Sequence, residues 1–119
     1  MYKYNPLSEK SYEFALKIIN SYKLLTVEKR EYVLSKQLLR CGTAIGANVA
    51  EANGAISKAD FSAKISIAYK ESLEAKYWLS LLKDSDFIVV EEFNRLFEDA
   101  DELSKILFSI LKSTRLNSD

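Results

Sequence analysis

The stretch VLSKQLLRCGTAIGANVAEANG, residues 33–54, decides the fold. Within it Leu34, Leu38, Cys41, Ile45, Asn48 and Ala52 follow one another at intervals of 4, 3, 4, 3 and 4. That spacing sets them on one line down a helix that meets a partner helix at near-heptad period. Beside the line run Gly42, Gly46 and Ala50, with Gly54 one turn further on. An interior Gly costs a helix about 1 kcal/mol relative to Ala, so two of them imply that a side chain there would obstruct something. Small residues at every fourth position let another helix axis come close, as GxxxG pairs do in membranes. The alternative is that the glycines separate two shorter helices.

Outward from this stretch the chain continues in the same period. Upstream, Leu7, Ser11, Ala15, Ile18, Tyr22 and Leu25 form a helical stripe broadened by Phe14 and Ile19. Pro6 suits the start of that helix and Ser8 is placed to cap its first N–H groups. Downstream, Asn53-Gly54 is a natural helix end, with Gly in the left-handed conformation. Ser57 with Asp60 three positions later then resembles a capping box opening on Phe61. Phe61, Ile65, Ala68, Ser72, Ala75, Leu79 and Leu82 make the longest unbroken heptad-like line, small in its middle, and that face is expected to receive the small face of the second helix. Lys83-Asp84-Ser85-Asp86 is a polar break, and Phe87 and Ile88 are expected to tuck against the bundle end as a loop. A last stripe, Phe93, Leu96, Ala100, Leu103, Leu107, Ile110 and Thr114, begins with Glu91 and Glu92 and closes with Lys112, a polarity that suits the helix dipole. Helices over about 7–25, 29–53, 58–83 and 90–115, joined by short connections, predict an all-α, antiparallel up-down-up-down four-helix bundle in a single domain.

Composition narrows the function classes. With 119 residues, 3 Gly and 1 Pro, the chain has material for one domain and for few turns. It has no run of 18 or more apolar residues and no signal-peptide pattern at its start, so the expectation is a cytoplasmic protein that does not enter the membrane. The single cysteine, Cys41, lies on the apolar line and reads as a small hydrophobe; with 0 His in the chain, nothing of that type is available to activate it. Formal net charge is +0, but the halves differ. Residues 1–83 hold 13 Lys and Arg against 8 Asp and Glu, and residues 84–119 hold 4 against 9. Either the two surfaces solvate separately, or opposite sides attract one another across copies.

The absence of His also removes the di-iron carboxylate site that a four-helix bundle otherwise suggests, because that site needs Glu-x-x-His on two helices. An acidic metal site built from Glu51, Glu71 and Glu74 is the one enzymatic alternative, with Arg40, Lys70 and Lys76 available to neutralise the same carboxylates. Asn48 on the core line is expected to fix register or bond across a helix interface. Trp78 with Tyr77 and Tyr69 reads either as a stacking surface for bases or as a bundle edge or subunit contact. Lys36, Arg40, Lys64, Lys70 and Lys76 are the candidate nucleic-acid contacts. No cofactor is implied.

On VLSKQLLRCGTAIGANVAEA (33–52), SKADFSAKISIAYKESLEAKYWLSLL (57–82) and ADELSKILFSILKST (100–114), the chain resembles the four-helix bundle family encoded in bacterial 23S rRNA intervening sequences. That family is similar to the accessory variability determinant of diversity-generating retroelements, a barrel-like homopentamer that binds nucleic acid and a reverse transcriptase. The resemblance implies a non-enzymatic homo-oligomer, a pentamer, that binds nucleic acid, while the spacing assigns helix packing to Gly42, Gly46, Asn48 and Ala50 and the charge balance makes the expected RNA or DNA binding weak. A pI near 6.3 departs from the strongly basic surface of the retroelement protein.

Overall fold

Apolar stripes at helical period can be buried only against one another, and four of them close a square. The computed structural model describes residues 5–116, and among them four helices run α1 (Pro6–Val27), α2 (Leu34–Asn53), α3 (Lys58–Asp84) and α4 (Val90–Leu116), with no strand. Each packs antiparallel on its chain neighbour, α4 returns to α1, and the diagonal pairs do not meet. The result is an all-α, up-down-up-down bundle of 49 × 23 × 22 Å.

The core follows the stripes closely on α3, where Ile65, Ala68, Ser72, Ala75, Leu79 and Leu82 are all buried. On α4 the buried set is Leu96, Ala100, Leu103, Ser104, Leu107 and Leu111. On α1 it is Leu7, Ser11, Phe14, Ile18, Ser21 and Leu25. Phe87 and Ile88 pack against the core from the α3–α4 loop, as the sequence suggested. Two buried hydroxyls join α3 to α4: Ser72 and Ser104 lie 2.7 Å apart, and each also reaches a carbonyl of its own helix, Tyr69 and Ala100. Each hydroxyl has one proton, so one serine donates to the other and only one of the two carbonyl bonds is made at a time.

The ends of the helices differ from the sequence reading in four places, each with a local cause. Asn5, not Ser8, caps α1, its side chain accepting the Ser8 N–H at 3.2 Å. Ser8 instead accepts from Asn53 at 2.8 Å and ties α1 to the end of α2. Helix α2 begins at Leu34 rather than near Lys29, because Arg30 turns left-handed (φ 54) and Glu31 folds back on the helix start. The Glu31 carboxylate accepts the N–H groups of Val33, Leu34 and Ser35 at 3.1, 2.9 and 2.6 Å, and Ser35 Oγ returns a bond to the Glu31 carbonyl. Burial raises the Glu31 pKa, but these backbone donors outweigh it and hold the group below its ordinary value. Gly54 ends α2 at φ −102, outside the left-handed region. The left-handed residue at a helix end is Asp86 (φ 65), which closes α3 in a Schellman motif with Phe87 N–H on Leu82 O and Asp86 N–H on Lys83 O. At α3, Ser57 accepts the Asp60 N–H, while the shorter Asp60 carboxylate reaches the Ile56 N–H and so closes the box one residue early.

Candidate functional site

The glycine stripe of α2 is the first feature to place. The helix is continuous through it, and its glycines face α1, not α3. A Cβ on Gly42 would stand 2.9 Å from Ile18 Cγ1, and one on Gly46 would stand 3.3 Å from the Ser11 carbonyl oxygen. The close neighbour of these glycines is therefore the first helix, where the spacing led to an expectation of the third. Ala50, further along, is exposed. Asn48 does not bond across an interface: it is half-buried, donates to Ala44 O within its own helix at 2.9 Å, and leaves Val49 to fill the core. Both Asn48 and Val49 fit the 3-and-4 spacing between Ile45 and Ala52, and burial of the apolar one wins. Cys41 is fully buried, and its thiol is pushed up to about 12, first by burial and then by the charge of Glu74. It behaves as core, not as a nucleophile.

Glu51, Glu71 and Glu74 are individually engaged by cations and an indole. Arg40 crosses from α2 to bond both Glu71 and Glu74 on α3, and the Trp78 indole N–H donates to Glu74 at 2.9 Å. The Trp78 bond and the Arg40 guanidinium together hold Glu74 below its ordinary pKa, and Arg40 is raised in turn by Glu74. Glu51 pairs instead with Lys64 at 2.9 Å. The three acids considered as metal ligands are thus divided between two cations, and no cluster of metal-ligating side chains occurs among the described residues. Trp78 serves as an edge residue, stacked edge-on against Tyr77 at 5.2 Å, while Tyr69 packs on Phe108 at 5.7 Å.

The same ion pairs decide what remains of the basic set. Lys76 is held by Asp101 of α4 at 3.0 Å, and Asp101 takes Lys105 as well, so its pKa is lowered, by Lys105 first. Arg40 and Lys64 are committed as above. Lys36 and Lys70 make no ion pair among the described residues and are exposed. Two of the five candidate nucleic-acid contacts are therefore free cations, and the other three are paired within the protomer.

Two features escaped the sequence. One is the Glu31 cap, whose three bonds need the left-handed Arg30 before it. The other is an open cleft of about 720 Å³ between the end of α1, the α3–α4 loop and the start of α4. Its apolar wall is Leu24, Leu25, Phe87, Ile88, Val89 and Val90. The apolar run 87–90 was its only signal.

Close-packed glycines and surface charges paired across neighbouring helices define a small all-α four-helix bundle protein. The family model of the 23S rRNA-intervening sequence protein matches residues 5–109, and the chain belongs to that family. Its bundle is similar to the crystal structure of a protein of unknown function from the S23 ribosomal protein family of Bacteroides thetaiotaomicron VPI-5482. The two share 48% sequence identity and a TM-score of 0.88, over 89% of this chain and 98% of that one. No curated protein matches the chain. Among the described residues, no helix is long and apolar enough to cross a membrane.

Proposed function

We propose that the protein is a non-enzymatic assembly module, a homopentamer whose ring presents a weak binding surface for RNA or DNA. One observation carries the assembly: apolar residues stand outside on two opposed faces. Tyr12 and Leu16 are exposed on α1, and Ile67, Leu73 and Tyr77 on α3. Since α1 and α3 occupy opposite corners of the square, these faces point in opposite directions. A face on one side matched to a different face on the other is a heterologous contact, which closes into a ring when the rotation between copies allows it. Charge favours the same pairing. Glu9 and Glu13 flank Tyr12 and make no ion pair among the described residues, and Lys70 beside Leu73 is free in the same sense.

Nucleic-acid binding in this reading rests on repetition. Each protomer offers Lys36 and Lys70, and a five-fold ring multiplies a modest contribution while Arg40, Lys64 and Lys76 stay neutralised by their partners. Binding is then directed at the backbone and falls with salt, log K changing with log salt by about −0.9 for each duplex phosphate neutralised. The reading agrees with the resemblance to the retroelement accessory protein and with a moderate pI.

Light scattering tests the assembly first, the expected mass being five protomers; a monomer would overturn the reading. Fluorescence anisotropy with labelled RNA and DNA across a salt series tests the second half. Weak binding at low salt, removed by Lys36→Glu with Lys70→Glu, is expected. No binding even at low salt would leave a protein scaffold alone.

A further inference from the structure

The two ends of the bundle are complementary, and we infer that a second copy of this chain docks end-on, its Ile56 in the cleft and its Lys58 on the cleft's acidic rim. This contact is distinct from the lateral faces of the proposed ring.

The cleft supplies an apolar wall with its charges mostly spent on one side. Lys83 lies over the Phe93 ring at 4.3 Å and pairs with Asp84 at 3.5 Å, and Arg95 is held by Glu92 at 2.9 Å. Glu92 is also occupied by the Ser21 hydroxyl at 2.8 Å. Of the remaining charged lining residues, the acids Glu28, Asp86 and Glu91 face one base, Lys29, and none of the four makes an ion pair among the described residues. Leu24 and Val90 are more than half exposed in the isolated protomer. An apolar partner with a positive flank fits this rim.

The opposite end carries such a feature. Ile56 in the α2–α3 loop is 92% exposed, more than any other large hydrophobic residue described. Its neighbours Gly54, Ala55 and Ser57 are small, so the side chain stands alone at the tip. The loop is held, since Asp60 accepts the Ile56 N–H at 3.2 Å while Ser57 caps α3 through the Asp60 N–H at 3.0 Å. That arrangement turns the Asp60 charge back into the loop and leaves Lys58 exposed beside Ile56. A knob already held in place loses little freedom on docking. It cannot enter its own cleft, because the 27 residues of α3 separate the two ends by about 40 Å. The contact is therefore between molecules and joins unlike surfaces, which leaves a free knob at one end of any pair and a free cleft at the other, and extends into a string.

Mass measured by light scattering over a concentration series at low salt tests this. The parent is expected to rise in mass with concentration without settling on one stoichiometry, or, if the lateral ring forms, to rise in multiples of it. Ile56→Asp is expected to lose the rise with an unchanged melting temperature, because an almost fully exposed side chain contributes nothing to the fold. Lys58→Glu is expected to weaken the rise, and the chain carrying both Lys58→Glu and Glu91→Lys to recover it. A rise that persists in Ile56→Asp overturns the inference, as does a parent of constant mass. If that constant mass is a ring that Ile56→Asp leaves intact, the lateral assembly stands and the end-on contact falls. A parent of constant mass whose cleft takes up a basic apolar peptide would assign the cleft to a foreign partner instead.

Discussion

Helix α1 meets its two neighbours in different ways. Against α2 it lies on bare backbone: Ile18 covers Gly42 and the Ser11 carbonyl covers Gly46, so even one added carbon would force a neighbour to shift. Against α4 the seam is thinner in contact and is bridged by polar groups, Lys10 to Glu102 at 3.1 Å, Lys17 to Asp99 at 2.7 Å and Ser21 to Glu92 at 2.8 Å. Long charged side chains hold two helices apart where glycine lets them touch. At its far end the polar seam opens into the cleft, so the same difference that tightens one side of α1 creates the cavity on the other. Stability is expected to reside in the first seam, and exchangeable surface in the second.

The largest effect should come from filling the close seam. Gly46→Leu places a branched side chain where even a Cβ is 3.3 Å from a backbone carbonyl, which cannot rotate away. Overpacking costs about 1–3 kcal/mol, occasionally more, and the high end is expected here, read as a large drop in melting temperature by circular dichroism. Gly42→Ala is the milder probe, because Ile18 must move through its Cγ and Cβ atoms by several tenths of an ångström. A Gly46→Leu chain that melts with its parent would abolish the distinction between the two seams.

Next in size is the cap at the turn joining α1 to α2. In Glu31→Gln a carboxylate that accepts three backbone N–H groups becomes an amide with one acceptor oxygen, and hydrogen bonds to charged groups contribute about 1.5–3 kcal/mol. The pH dependence has a definite sign. Since the folded pKa of Glu31 is lowered, its contribution is fully present above the unfolded value of about 4.3 and is lost as pH falls through the folded value. Denaturant titrations should therefore show a constant gap between parent and variant at neutral pH that narrows below about pH 4.3. A gap that persists undiminished in strong acid would mean that the charge is not what holds the start of α2.

These elements also mark how far the sequence could be read. The α3 line was legible from Ile65 to Leu82, with Phe61 at its start only partly buried, and the loop at Phe87 was legible because four apolar residues followed a polar break. The glycines announced a close neighbour, but the small middle of α3 pointed to the wrong helix: Gly42 and Gly46 lie to one side of the core line, and that α1 stands on that side depends on how the square closes. Asn48 and Val49 were equivalent by spacing and were separated only by what burial costs a polar group. Glu31 was illegible, because its bonds follow from a left-handed arginine that no sequence rule requires. For the site, residue type was informative and pairing was not. Of the three bases offered to Glu51, Glu71 and Glu74, only Arg40 pairs with any of them; Lys76 goes to Asp101 of α4, Glu51 takes Lys64, and side-chain reach alone leaves Lys36 and Lys70 without an ion pair among the described residues.

The smallest effect should come from the polar seam. Lys17 and Asp99 lie 2.7 Å apart with both side chains a third or more exposed, so water competes for each charge and salt screens the pair. Exposed pairs of this kind couple by about 0.2–1 kcal/mol. A double-mutant cycle with Lys17→Met and Asp99→Asn, measured by denaturant unfolding at low and at high salt, is expected to return a coupling in that range that shrinks with salt. Methionine keeps most of the length and apolar stem of lysine, so the cycle reads charge with little change in packing. The Gly46→Leu loss and this coupling then bracket the two sides of α1. If the cycle instead gave a salt-independent coupling as large as the glycine effect, the seam would be held as a desolvated interface, α4 would be as firmly fixed to α1 as α2 is, and the cleft at its end would be the edge of a rigid joint instead of the open side of a loose one.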